Sequence, residues 1–105
     1  MTKEKSFLMG NAYYNFLRTL CNKTRLTIIH ALRKNSKNVT QLTKELNIHQ
    51  TSVSHALKRP LDCGLVNVNQ DGKKRVYSLN KKTIKPLINL MEDHINCYCA
   101  GGICK

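Results

Sequence analysis

A mainly α-helical domain with one small β-hairpin is predicted by this chain, and three observations carry that expectation. Apolar residues recur at helical spacing along most of the chain, the pattern changes to short runs around Asp71-Gly72, and helical spacing returns after Lys81. The 105 residues leave room for one small core. With aromatics at 6% and Trp absent, that core is expected to be aliphatic and modest in depth, so a dimer would help by burying more apolar surface.

The first helix is read over residues 7–20, where Phe7, Tyr13, Phe16, Leu17 and Leu20 fall at helical spacings and Gly10 weakens the opening turns. Asn22 is placed to cap a second helix, with Leu26, Ile29 and Leu32 in one apolar stripe and Arg25 and Arg33 outside it. That helix ends in the polar stretch Lys34 to Asn38. A third, short helix is expected to start at Thr40, whose hydroxyl caps free amides, and to present Leu42 and Leu46 to the core. Asn47 and Ile48 make the next turn.

Residues 49–58, HQTSVSHALK, carry Val53 and Leu57 inward at a spacing of four, which turns Gln50, Thr51, Ser54, His55 and Lys58 outward. Pro60 has no amide to give and restricts Arg59, so this fourth helix is expected to kink or stop there, with Gly64 marking the exit. Val66 and Val68, then Val76, Tyr77 and Leu79, form a hairpin with a basic tip. The last helix repeats apolar residues at Ile84, Leu87, Ile88, Met91 and Ile95, and Pro86 is tolerable only near its start. The stripes Tyr13, Phe16, Leu17, Leu20 and Leu87, Met91, Ile95 exceed what one small core covers, which points to a homodimer through the first and last helices.

Eighteen Lys and Arg against six Asp and Glu leave a net charge of +12, so a polyanion is the natural partner, ahead of an acidic protein or a membrane surface. No run of eighteen apolar residues occurs and the N-terminus lacks the apolar stretch of a secretory signal, so a cytoplasmic location and no membrane partner are expected. An enzyme is not expected: there is no Gly-rich phosphate loop and no recognisable Ser-His-acid or Cys-His motif.

Two short helices joined by a tight turn and followed by a basic hairpin describe a winged helix-turn-helix, whose second helix enters the major groove of a double-stranded DNA operator. Gln50 suits an adenine edge, Thr51 and Ser54 suit bases or phosphates, and His55 suits an acceptor edge. The full expected DNA-binding set is Gln50, Thr51, Ser52, Ser54, His55, Lys58, Arg59, Lys73, Lys74 and Arg75, with Lys58, Arg59 and the wing residues on phosphate. Alone, the triplet Lys73 to Arg75 would read as a solvated turn; the neighbouring helix pair favours DNA.

The segments CNKTRLTIIHAL, NVTQLTKELNIHQTSVSHALKRPLDCGLV and GKKRVYSL resemble successive motifs of the ArsR/SmtB family of metal-sensing repressors, over roughly residues 17–95. The resemblance implies a homodimer held by the first and last helices and an effector that releases DNA. Two departures stand out. Pro60 lies where the family usually continues its helix, and TQLTKEL contains no cysteine, so the family's helix 3 thiol site is excluded.

The sensing site is therefore sought in the tail. The chain divides into residues 1–96, the DNA-binding and dimerisation domain, and residues 97–105, a cysteine-rich tail. Of five cysteines, Cys97, Cys99 and Cys104 fall in the last nine residues, whereas the isolated Cys21 and Cys63 are read as packing residues. Residues two apart lie about 200° apart on a helix, so Cys97 and Cys99 share an ion only if the helix ends near them. Gly101 and Gly102 would let Cys104 turn back. Three thiolates suit a soft ion such as As(III), Sb(III), Cd²⁺ or Cu(I), while Asp93 or His94 would complete a tetrahedral site for Zn²⁺ or Cd²⁺. Sulfur-only ligation is favoured, with His94 kept as a further group. The competing readings are a redox switch on the same thiols, a cysteine-rich metal carrier, and a frayed tail. His30 and His49 are read as surface or cap groups.

Overall fold

Five α-helices and a three-stranded antiparallel sheet make up the computed structural model, which describes residues 2–99 and the side chains of residues 11–99. The order is α1 (Thr2–Leu20), α2 (Lys23–Lys34), β1 (Lys37–Asn38), α3 (Val39–Leu46), α4 (Gln50–Asp62), β2 (Val66–Asp71), β3 (Lys74–Leu79) and α5 (Ile84–His94), closed by one π-helical turn over Ile95–Cys99. Helix α1 begins five residues before the first apolar repeat. Thr2 to Ser6 carries no apolar period, but Lys3, Glu4 and Lys5 are good helix formers.

Asn22 caps α2 as expected, its Oδ1 accepting from the Arg25 amide at 3.0 Å. The buried face of α2 is wider than the expected stripe: Ile28 and Ala31 join Ile29 and Leu32, while Leu26 is half-buried. The cause is position, because α2 packs against α3, α4 and β3 together.

Two expectations fail just after α2. Residues 37 and 38 form a strand that pairs with β3, Lys37 opposite Tyr77 and Asn38 opposite Val76, giving the order β1-β3-β2. The sheet thus has a third strand beyond the hairpin. The cap of α3 is Asn38 and not Thr40: Asn38 Oδ1 accepts from the Gln41 amide, and Gln41 Oε1 accepts from the Asn38 amide, both at 2.8 Å. This reciprocal box satisfies two amides at once, and it leaves Thr40 exposed. Asn47 ends α3 in the left-handed region, at φ 54°.

Pro60 does not stop α4, which continues to Asp62. Only one ladder bond is lost at a proline, and this one lies in the last turn, where its ring is buried. The exit is held by Cys63 N donating to Arg59 O at 3.0 Å and Leu65 N donating to Pro60 O at 2.9 Å. Strands β2 and β3 pair from Val66↔Leu79 to Asp71↔Lys74, and the tight turn between them uses Gly72 at φ 65°. Pro86 sits in the first turn of α5, and Asn80 Oδ1 accepts from the Lys82 and Thr83 amides ahead of that helix. The core is aliphatic apart from Tyr77, and it includes Ile29, Leu42, Val53, Leu57, Leu65 and Ile88. No described helix is long and apolar enough to cross a membrane.

Candidate nucleic-acid interface

Helix α4 is seated by Val53 and Leu57, at 0% and 1% exposure, which lock its inner face into the core. Its outer face then follows from helical geometry: Gln50, Thr51, Ser52, Ser54, His55 and Lys58 are all exposed. Within the described residues no side-chain hydrogen bond ties these six side chains down. His49 is not a reader, because its Nδ1 accepts from the Thr51 amide at 3.2 Å and caps the helix. The first turn of α4 carries no acidic residue, so the positive end of the helix is left uncompensated.

Arg59 is exposed, yet its Nε donates to Thr19 Oγ1 on α1 at 3.1 Å, away from the row that begins at Gln50. The wing places Lys73, Lys74 and Arg75 at its tip, all exposed. Gln70 Nε2 donates to Gly72 O at 3.1 Å and braces the turn, while the Arg75 guanidinium lies 5.9 Å from the centroid of the Tyr77 ring.

Helix and wing meet over a cleft of about 290 Å³, with Thr40 and Ser54 on one side and Lys74, Arg75 and Tyr77 on the other. Hydroxyls beside cations form a surface suited to a phosphate backbone. Thr40 is the residue that sequence reasoning missed here. The available signal was the Asn38-x-x-Gln41 pattern, a capping box that releases Thr40 from capping.

Of the tail, residues 97–99 are described. Cys97 is half-buried and Cys99 exposed, and both lie within the π-helical turn that follows the end of α5 at His94. His94 stacks against Tyr98, ring centroids 4.9 Å apart. Among the described residues no three His, Cys, Asp or Glu side chains converge as a metal site, and Cys104 lies outside those residues. Cys21 and Cys63 are exposed and are not core packing residues: Cys21 follows the end of α1 and Cys63 ends α4, with its Sγ 3.8 Å from Thr19 Oγ1.

The opposite character prevails on α1 and α5. The exposed large apolar side chains Tyr13, Tyr14, Leu17, Leu90, Ile95 and Tyr98 all lie on α1, α5 or the π-helical turn. A groove of about 600 Å³ runs between them, floored by Leu20, Leu26, Ile88 and Met91. Part of the expected surplus is spent on the chain's own core, since Leu20 is buried and Phe16 and Leu87 are half-buried against it. Among the described residues, the one close charge pair here is Arg33 Nη1 with Glu92 Oε2 at 2.8 Å, joining α2 to α5. The hydrogen bond from Arg33 holds the Glu92 carboxyl below its ordinary range, and the same bond raises the Arg33 guanidinium.

Comparison with known proteins adds four findings. Residues 22–68 match the family described as "Bacterial regulatory protein, arsR family". The arsenical resistance operon repressor of Staphylococcus xylosus is 30% identical over 89 residues, 85% of this chain and 85% of that protein. A probable mercury resistance operon repressor of Streptomyces lividans is 31% identical over 75 residues, 71% of this chain, and the match spans 60% of that protein's length. In structure, the homodimeric winged helix-turn-helix DNA-binding domain of a possible ArsR-family regulator from Mycobacterium bovis superposes with a TM-score of 0.83 at 19% identity, over 93% of this chain and 90% of that one, a likeness of fold.

Proposed function

Since the chain belongs to the arsR family of bacterial regulatory proteins, DNA-binding transcriptional regulators and not enzymes, we propose that it is a repressor that holds an operator as a homodimer and releases it when its tail thiols are occupied. The observation that carries this reading is the exposed row Gln50 to Lys58 on a helix whose other face is anchored in the core, beside the basic wing. Gln50 and His55 read base edges, Thr51, Ser52 and Ser54 bond bases or phosphates, and Lys58, Lys73, Lys74 and Arg75 neutralise phosphates. Dimerisation is supported by the apolar side chains left exposed on α1 and α5, and a second copy would carry a second reading helix to the next turn of the major groove, about 34 Å away.

The effector is a soft metal or metalloid such as As(III) or Cd²⁺ on Cys97, Cys99 and Cys104, with His94 as an additional donor and Zn²⁺ as the borderline case. Supporting this are the two thiols at the end of the helix that carries the dimer face and the arsenical and mercury resistance repressors among the relatives. Ligation there moves one protomer against the other and misplaces the reading helices. A disulfide between two of the same thiols is the second reading, favoured by the exposed Cys99 one turn from the dimer face.

The deciding experiment titrates reduced full-length protein onto a duplex it selects from a random-sequence pool, with and without As(III), Cd²⁺, Zn²⁺ or peroxide. Coupling of about 1–3 kcal/mol would weaken binding roughly 5–150-fold. Proton release should accompany metal binding, since thiols ionise to ligate. A variant carrying Cys97→Ser, Cys99→Ser and Cys104→Ser should bind the duplex normally and ignore the effector. Dissociation of that variant by As(III) or Cd²⁺ sinks the tail as the sensor.

A further inference from the structure

Thr19 is a polar residue at a position with 0% exposure, where valine would fill the same volume. Its hydroxyl donates to Asn15 O at 2.9 Å, which aims a lone pair outward from α1, and that lone pair accepts from Arg59 Nε at 3.1 Å. The same residue's carbonyl accepts from Arg25 Nη1 of α2 at 3.2 Å. Three helices thus meet at Thr19: α1 that carries it, α2 through Arg25, and the reading helix α4 through Arg59. The bond from Arg59 spans 40 positions in the chain, against six for the one from Arg25.

We propose that Arg59 is a positioning residue for DNA reading: its bond to the buried Thr19 hydroxyl fixes the rotation and height of α4 against α1. Charge alone would suggest a phosphate contact for Arg59, as for its neighbour Lys58. The geometry differs, because Lys58 stands unengaged on the outer row while the Arg59 guanidinium is aimed at the buried hydroxyl. The bond replaces one of the arginine's water contacts with a directional tie at the C-terminal half of the reading helix, and such a tie resists sliding in a way that the apolar seats Val53 and Leu57 do not. The inference rests on the reading that the protein works as a dimer through α1. On that reading the Thr19–Arg59 bond sets the separation of the two reading helices, and it matters most on a site with two half-sites.

The test uses the full chain, a duplex selected by the wild-type protein from a random-sequence pool, and a duplex carrying one half of it. Thr19→Val keeps the volume and leaves the Arg59 charge in place. It should weaken binding to the full duplex about five- to tenfold while changing half-site binding little, and Thr19→Ser should restore wild-type binding. Arg59→Met should give the same loss with the salt slope unaltered, and the double variant should lose nothing more. A phosphate contact predicts the reverse: Thr19→Val binds like wild type and Arg59→Met lowers the salt slope by about one, which would overturn the proposal. If circular dichroism shows Thr19→Val to be unfolded, the salt slope of Arg59→Met alone decides. Sedimentation of the wild-type protein separates the two ideas, since a monomer removes the dimer reading whatever the variants do.

Discussion

The two working faces of this molecule are built in opposite ways. On the row Gln50 to Lys58 of α4 and at the wing tip Lys73 to Arg75, the exposed side chains are polar groups and cations, and the helix beneath them is anchored by Val53 and Leu57 at the floor of the core. On α1, α5 and the π-helical turn, large apolar side chains are exposed, among them Tyr14, Leu17, Leu90 and Tyr98, and Leu17 and Ile95 line a groove instead of a ridge. A charged, hydrated ridge is a stable surface in water, and it gains by exchanging counterions when it meets DNA. An apolar groove gains by losing water, so its natural cover is another apolar surface. One chain therefore carries two recognition chemistries, on faces of opposite character.

The comparison breaks most completely if the shared scaffold is removed. Leu57→Ala empties a site at 1% exposure and should cost about 2–5 kcal/mol of folding stability, seen as a lower Tm, with both faces failing together. Preserved DNA binding with a lowered Tm would mean that α4 is seated by other contacts.

Smaller changes should separate the faces. Gln50→Ala or His55→Ala should weaken specific binding by about 1–3 kcal/mol per lost base contact and relax sequence preference, without changing the sedimentation coefficient. Lys73→Ala or Lys74→Ala should instead weaken binding on all duplexes alike and reduce the salt slope by about one per charge. Equal loss of selectivity at helix and wing would refute α4 as the reader. On the other face, Leu17→Glu should shift the chain toward monomer in sedimentation and lower Tm only by what dimerisation adds, because Leu17 is exposed within the protomer. Burial of one leucine is worth about 1.5–3 kcal/mol, the size of the expected loss in dimer affinity.

The smallest effect belongs to the half-exposed pair between Arg33 and Glu92. The Glu92 pKa is depressed by the bond from Arg33, so the folded state binds its proton less readily than the unfolded chain. Its contribution is present above the ordinary glutamate range and is lost as the pH falls through the lowered folded value. Glu92→Gln should therefore flatten the acid limb of the stability curve slightly and leave stability near neutrality within the small range typical of surface pairs. A large loss at neutral pH would show that the pair does more than join two half-exposed side chains.

Much of the reading face was legible from residue order alone. The spacing of Val53 and Leu57 determines which side of residues 50–58 faces water, because a helix repeats every 3.6 residues whatever surrounds it. Asp71-Gly72 marks the hairpin turn for a similarly local reason, since glycine adopts the positive φ that the turn requires. Asn22 and His49 act as caps through atoms a few residues away. Features that depend on distant partners were decided only by the tertiary structure. Strand β1 exists because β3 has an edge to offer, and the polar pair Lys37-Asn38 carries no pattern of its own. Lys37 is buried because Ala31 O receives its ammonium at 2.7 Å and Glu45 lies at 3.4 Å. Pro60 stays inside α4 because the core receives its ring, and Arg59 turns to α1 because Thr19 holds a hydroxyl there, 40 residues back. Periodicity determines which face of an element is buried; what that face meets depends on how the elements pack, and there a polar residue's partner is settled.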